Sequence, residues 1–188
     1  MADNESPHGE NAPHGVGFKV VELGVSSGTG RVEVVAQFIT EHGTLTGGAT
    51  QEQFAYGFIW ACEYGRTNVV QFLCAHGFKP DGKFMHGQTG LHWAAFGGHA
   101  EIVDLLLNQK ALVNVKDGIH KGTPLGWAVY GWSNPAPEFK DARYYEVVEH
   151  LIRAGATVDW EWMGNPDREG SLTAEILGDA RMRAALRV

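Results

Sequence analysis

Two histidines, His92 and His99, stand seven positions apart in the stretch TGLHWAAFGGHAEIVDLLL, and imidazoles at such a spacing could bind a metal or exchange protons. On one straight helix, that separation spans roughly 10 Å along the axis. Zinc requires each histidine nitrogen at about 2.0–2.1 Å, so the pair cannot share an ion on such a helix. Gly97 and Gly98 could end the helix between them, so the roles of the two histidines depend on the surrounding elements.

Motifs of well-known catalytic and metal sites are absent from the sequence. It has no nucleophile elbow and no HExxH or CxxC motif, and the glycine-rich VSSGTGR at 25–31 lacks the spacing and the lysine of a phosphate-binding loop. Cys62 and Cys74 lie in apolar periodic segments, which indicates reduced core thiols. The sequence therefore predicts neither a bound metal nor a cofactor.

Charge and hydropathy restrict the classes of partner. The 188 residues carry 15 Lys and Arg against 22 Asp and Glu, a formal net charge of -7, and no basic cluster. Nucleic acid and anionic membranes are therefore unexpected partners. No apolar run is long enough to cross a membrane, and the polar residues 1–17 are predicted to be a disordered tail without a signal region. We expect a cytoplasmic protein.

The sequence repeats itself with a period of about 33 residues, which is the signature of a repeat architecture. Segment 58–78 aligns with segment 91–111 without a gap, and a third copy begins at Thr123 in TPLGWAVYGW. The second half of this copy, EVVEHLIRAGA at 146–156, matches 101–111 at a larger offset, which indicates an eleven-residue insertion at about 133–143. With a weaker copy before them, these segments predict four stacked units.

Each unit reads as two short helices. Thr89 and Thr123 are suited to be N-caps, and Pro124 follows at the first helical position. Gly77 and Gly155 come after the last apolar residues of second helices, where glycine commonly ends a helix. One such pair exposes too much apolar surface by itself, so neighbouring units must stack and form a continuous core.

The segments TGLHWAAFGGHAEIVDLLL and TPLGWAV…YYEVVEHLIRAGATVD resemble ankyrin repeats, whose pattern combines a β-turn finger with TPLHxAA, GHxEIV and LLLxxGA. The resemblance implies an all-α ankyrin-repeat solenoid of helix-turn-helix units with short β-turn fingers and a C-terminal capping helix. The TPLGWAVYGW segment and the insertion are similar to bacterial ankyrin proteins. The expected units are 18–46, 54–80, 86–114 and 120–158, within 18–162, followed by a cap over 163–188.

The resemblance also implies that partners contact the finger tips and the exposed, concave face of the first helices. The binding residues predicted on this basis are mostly aromatic and nearly uncharged: Tyr64, Met85, Gln88, Phe96, His120, Tyr130 and Trp132. Glu63 is the only acidic side chain at a groove position of a first helix. Burial against tryptophans would raise its pKa and suit it to acid-base catalysis, with His86 and Tyr130 as the other candidates.

Seven aromatic positions, one of them Trp132, have structural as well as functional interpretations. One column, at matching positions of three copies, is expected to pack between repeats, with a ligand platform as the alternative: Trp60, Trp93 and Trp127. Four others lie outside the repeated pattern and either fold the insertion over the concave face or cap the last repeat: Trp132, Phe139, Trp160 and Trp162.

Two functions of different classes follow. The first is a binding module that recognises a protein partner through the concave aromatic face. The alternative is a cofactor-free acid-base enzyme, such as a cyclase, dehydratase or isomerase, that acts on an apolar small molecule under a lid formed by the insertion. Both histidines of the opening stretch are expected to be scaffold residues, with Arg31, Arg66 and Ser133 equivalent to His99.

Overall fold

The chain folds into stacked helices. The computed structural model describes residues 31–82, 85–139 and 142–188, and its only β-pairing within those ranges is an isolated antiparallel bridge between Ile39 and Leu45. None of the described helices is long and apolar enough to cross a membrane. The α-helices are α1 Val32–Val35, α2 Gln51–Glu63, α3 Thr67–Ala75, α4 Gly90–Phe96, α5 Ala100–Asn108, α6 Pro124–Ser133, α7 Tyr144–Arg153, α8 Trp160–Met163, α9 Leu172–Gly178 and α10 Ala180–Leu186.

The helices form two rows. Helices α2, α4, α6 and α9 pack in sequence to make a first row, and α3, α5, α7 and α10 make a second. Each first-row helix is followed in the chain by a second-row helix, so the predicted helix-turn-helix arrangement is present in the described residues. At the C-terminus two helices, and not one, continue the rows, because Asp179 ends α9 and its Oδ1 accepts the Met182 N–H at the start of α10.

Helix starts follow the predicted chemistry. The Thr123 hydroxyl accepts the Gly126 N–H, and Pro124 occupies the first turn of α6. At the start of α4, the His92 side chain turns back to the N-cap residue, and its Nδ1 accepts the Thr89 N–H. Both predicted N-cap positions are therefore confirmed.

Helix ends in the second row share one backbone conformation. Gly77 and Gly155 follow α3 and α7 with φ of 88° and 92°, as predicted for glycine C-caps. The equivalent position after α5 is Lys110, which has φ of 66°. A side chain in this left-handed region is strained, because Cβ crowds the following carbonyl.

The core runs through both rows. The tryptophan column Trp60, Trp93 and Trp127 is buried, and the rings of Trp93 and Trp127 meet edge to face at 5.1 Å. Packing between repeats, the interpretation expected for this column, is therefore confirmed. Branched aliphatic residues fill the space between the rows, including Val69, Ile102 and Val147, each fully buried.

The N-terminal unit is only partly described. Its second helix corresponds to α1, which is one turn long and continues as a 3-10 turn over Ala36–Phe38. The predicted tail, 1–17, and the predicted first helix of this unit lie outside the described residues. The insertion is described except for residues 140 and 141, and it links the end of α6 at Ser133 to the start of α7 at Tyr144.

Candidate functional site

Glu63, Phe96 and Tyr130 occupy equivalent positions of successive repeats, near the C-terminal ends of α2, α4 and α6. These three residues lie on neighbouring first-row helices, and we call the line that they form the site row. The equivalence has a structural signature, because the carbonyl oxygens of Glu63 and Phe96 each accept a hydrogen bond from a side chain at the start of the second-row helix in the next unit.

The two donors of these bonds are His99 and Tyr144. His99 Nε2 lies 2.7 Å from the Glu63 oxygen, and the Tyr144 hydroxyl lies 3.1 Å from the Phe96 oxygen. The residue equivalent to His99 in the last unit is therefore Tyr144, on the far side of the insertion, and the assignment of Ser133 was wrong. Ser133 still belongs to α6, which continues into the region where the insertion was predicted to begin.

The glycines beside these carbonyls leave room for the links. A Cβ on Gly97 would stand 2.5 Å from Nε2 of His99 and 2.8 Å from the Glu63 oxygen. A Cβ on Gly131 would likewise collide with the Phe96 oxygen and stand 2.9 Å from Cε1 of Tyr144. The lack of a side chain at these two positions is what allows each second helix to reach the preceding first helix.

Phe96 is the centre of an aromatic cluster on the site row. Its ring lies 6.2 Å from Trp93, 6.0 Å from Trp127, 6.4 Å from Tyr130 and 5.7 Å from Phe139, measured between centroids. The Tyr130 ring is nearly parallel to Phe96, whereas the other three meet it edge-on. Tyr130 is 42% exposed, so the cluster reaches the surface through its ring.

The insertion folds over this end of the site row. Phe139 is buried, and its ring contacts His99 at 5.7 Å as well as Phe96. The Arg143 N–H donates to the Gly98 carbonyl at 2.8 Å, which anchors the end of the insertion. Of the two roles predicted for the peripheral aromatic residues, Phe139 therefore takes that of covering the site row.

Glu63, the first residue of the site row, is buried. Its side chain is 5% exposed, and its Oε2 has no hydrogen-bond partner among the described residues. Burial, with a smaller contribution from the negative charge of Glu138, raises the pKa of Glu63 to about 8. The predicted rise in the Glu63 pKa thus has the predicted main cause, and the carboxyl is mostly protonated at neutral pH.

The predicted catalytic set does not come together. Tyr130 stands two helices along the site row from Glu63 and stacks on Phe96 instead. His86 is exposed on the finger before α4, where its carbonyl accepts the Gly118 N–H, and no contact of the described residues joins its imidazole to Glu63.

The predicted binding residues divide into several groups. Tyr64 is half-buried at the end of α2, and Gln88 is buried, so its side chain offers little contact surface. His120 is exposed on the finger before α6, with its ring 6.4 Å from that of Trp127. Trp132 points to the second row, where its indole N–H donates to the Tyr145 hydroxyl. The side chain of Met85 lies outside the described residues.

A buried carboxylate holds the finger that carries His120. Asp117 accepts the N–H groups of Ile119, His120 and Gly122 and the indole N–H of Trp127, at 2.7–3.1 Å. Burial alone would raise the pKa of Asp117, but these four donors outweigh it and lower the pKa. The sequence analysis missed this residue, although its position just before the Gly-rich finger and the TPLG motif was a usable signal.

The last unit is closed by Trp162. Its indole N–H donates to the His120 carbonyl, and its ring lies over Gly126, where a Cβ would stand 2.9 Å from the ring. Gly126 replaces the histidine of the TPLH element, and the ring fills the vacated space. Trp162 therefore takes the capping role proposed for the peripheral aromatic residues, while Trp160 remains 38% exposed.

His92 is a scaffold residue, as predicted. It is fully buried, its Nδ1 accepts the Thr89 N–H, and its Nε2 faces the carbonyl oxygens of Val115 and Gly122 at 3.1 and 3.3 Å. Burial lowers the pKa of His92, which keeps the ring neutral. No group of three or more metal-ligating side chains is found in the part of the chain that the structure describes.

Comparisons with known proteins agree with this architecture. A stretch of 100 residues, 51% of the chain, is 29% identical to the palmitoyltransferase AKR1 of Lachancea kluyveri, of which it spans only 12%. The sequence profile of ankyrin repeats in three copies matches residues 25–117 and 58–161, which together cover most of the chain. The number of four units stays a prediction. The chain belongs to the ankyrin-repeat family.

Proposed function

We propose that this chain is a protein-binding module whose contact surface is the exposed part of the site row and the adjoining finger. Ankyrin repeats generally mediate protein–protein interaction, which supports the general function. The surface proposed for the contact consists of Phe96 and Tyr130 on the first row and Ile119 and His120 on the finger.

The exposure of large side chains at this surface carries the proposal. Tyr130 is 42% exposed and Ile119 is 48% exposed, although both belong to a unit whose other large apolar residues are mostly buried. Tyrosine is enriched at the energetically dominant positions of interfaces, because its ring gives a large contact area at a small entropic cost. Asp117 and Trp162 hold the finger from both sides, which limits the entropy lost on binding.

The comparisons lend no support to the alternative of an acid-base enzyme acting on an apolar small molecule. A cytoplasmic location and a bacterial origin are further parts of the proposal. The free thiols of Cys62 and Cys74 support the location, because disulfides are rare in reducing compartments.

Site-specific photocrosslinking tests the proposed surface. A benzoylphenylalanine at position 130 in the full chain, expressed in the source organism, is expected to give one dominant protein adduct. The matched control is the same probe at Glu149, which is exposed on α7 in the second row. Excess unlabelled wild-type protein should compete for the partner and suppress the adduct. The same excess of a folded, unlabelled Phe96→Ala variant should suppress it less. Identical adducts from both positions, or none from position 130, would overturn the proposal.

A further inference from the structure

The unpartnered carboxyl oxygen of Glu63 requires a physical explanation. A buried polar atom without a hydrogen bond costs about 1–3 kcal/mol, and an apolar residue of similar size would avoid this cost. The equivalent positions of the next two units carry aromatic residues, Phe96 and Tyr130, and no carboxyl group. A carboxyl group at this position becomes favourable when a ligand supplies the missing partner.

The charges around Glu63 define which partner would fit. Glu138, on the insertion, raises the pKa of Glu63 further by its negative charge, so the surroundings of Glu63 are acidic on this side. Next to α5, burial lowers the pKa of His99, with a smaller contribution from Arg66 in the same direction, so the His99 ring is neutral at neutral pH. Arg143, at the start of α7, is engaged by the carboxylates of Glu101 and Glu146 at 2.8 and 3.2 Å.

The remaining walls are aromatic. The Phe139 ring, next to Glu138 in the chain, contacts the rings of Phe96 and His99, and ring faces attract cations by about 0.5–2 kcal/mol. A second buried polar atom of the same cluster, Nε1 of Trp93, also has no partner among the described residues. This donor requires an acceptor, such as a peptide carbonyl.

We propose that Glu63 and Glu138, with the rings of Phe96 and Phe139, form a pocket for a lysine or arginine side chain of the partner protein. This inference rests on the proposed function and adds the chemistry of the partner. The cation pairs with the Glu63 carboxylate, and a carbonyl of the same partner segment accepts the Trp93 N–H. A basic segment also suits the acidic chain, whose formal net charge is -7.

The cation reaches Glu63 by displacing the cover. Phe139 and Glu138 belong to the insertion, which has no helix or strand over its described residues 134–139. A rotation of the Phe139 side chain away from Phe96 and His99 would open the side of the site row next to Glu63. Rotamer changes of this kind are common when proteins bind their partners.

Binding must be coupled to a proton. At neutral pH Glu63 carries a proton, since its pKa is raised to about 8, and only the ionised form attracts a cation strongly. Glu63 therefore releases its proton when the cation binds. The affinity rises as the pH increases towards 8, by up to about tenfold per pH unit, and levels off above that value.

The test uses amino-acid probes and the tryptophan indole N–H signals of the full chain in NMR spectra. The probes are Nα-acetyl-lysine amide and Nα-acetyl-arginine amide, with Nα-acetyl-norleucine amide as the neutral control. The Trp93 signal, assigned with a Trp93→Phe variant, should shift saturably with either cationic probe and not with the neutral one. The apparent affinity should rise between about pH 6.5 and pH 8.

Variants separate a binding role from a structural one. Glu63→Gln keeps the shape and should weaken the cationic probes at least tenfold and abolish the pH dependence. Glu52→Gln, at the exposed N-terminal end of the same helix, should bind like the wild type. Equal shifts with the neutral probe, no shift with the cationic probes, or unchanged binding by Glu63→Gln would overturn the inference. The adduct formed at Tyr130 would be unaffected by that failure, so the proposed function is tested separately.

Discussion

His99 reaches back to the preceding repeat and donates a hydrogen bond from Nε2 to the carbonyl oxygen of Glu63, 2.7 Å away. Tyr144 makes the same link to Phe96 at 3.1 Å, with a phenol hydroxyl in place of the imidazole. These two bonds hold α5 and α7 to the site row of the unit before each of them. The His99 bond also fixes the carbonyl group of Glu63 itself.

The Gly97→Ala variant tests this link. Gly97 has φ of -74°, which suits alanine, so the added methyl group acts through its contacts alone. It would meet His99 at 2.5 Å and the Glu63 oxygen at 2.8 Å, both contacts shorter than real Cβ atoms make. We expect a loss of about 2 kcal/mol or more in the free energy of unfolding, measured with urea. Gly178→Ala, whose Cβ meets no atom, is the control and should be neutral or slightly stabilising.

The Lys110→Gly variant should be more stable than the wild type by about 1 kcal/mol. The reason is the φ of 66° at Lys110, at the position where the neighbouring units have Gly77 and Gly155. Lys110→Ala removes the same charge but keeps a Cβ, so it should bring little of this gain. Equal unfolding midpoints for the glycine and alanine variants would contradict the backbone explanation.

The Asp117→Asn variant should lose about 2–4 kcal/mol of stability, because an amide nitrogen cannot accept from Gly122 N and Trp127 Nε1. Asp167→Asn, an exposed loop residue, is the control. The lowered pKa of Asp117 adds a pH effect of definite sign. The stabilisation that the Asp117 carboxylate gives is complete above the pKa of an unfolded Asp, about 3.9. It declines as the pH falls through the lower pKa of the folded state. Thermal melts of both variants would show whether Asp117 is required.

The pH dependence of stability follows from the raised pKa of Glu63, about 8. The unfolded chain releases this proton near pH 4.3, so between about pH 4.3 and pH 8 the folded state holds one more proton. The free energy of unfolding should therefore fall as the pH rises, by up to about 1.4 kcal/mol per unit, and stay constant above pH 8. Urea unfolding at several pH values should show this slope in the wild type and not in Glu63→Gln. Parallel curves for the two proteins would refute the raised pKa.

The helical repeat architecture could be predicted from the sequence because each unit repeats its caps, its glycine ends and its apolar spacing. The scaffold role of His92 was predictable for the same reason. The equivalence of His99 with Tyr144 was harder to recognise, because the insertion separates the two halves of the unit. An imidazole and a phenol also share no sequence pattern, although both donate to a carbonyl.

The candidate site was predictable only in part. Glu63 and Phe96 were chosen as candidates from their position in the first helix, and the raised pKa of Glu63 was predicted from its apolar neighbourhood. The burial of Gln88 and the turn of Trp132 towards Tyr145 depend on side-chain packing, which the repeat pattern does not specify. Glu138 became relevant only when the path of the insertion was known, because its sequence lies outside every repeat.

The binding affinity of the partner captured at Tyr130 tests the central claim most directly. Calorimetric titration should compare the wild type with Tyr130→Ala and with Glu149→Ala, both changes being at exposed positions. The account predicts that Tyr130→Ala weakens binding at least tenfold, about 1.4 kcal/mol, while Glu149→Ala leaves the dissociation constant within about twofold. Equal dissociation constants for the wild type and Tyr130→Ala, or a larger effect at Glu149, would contradict it.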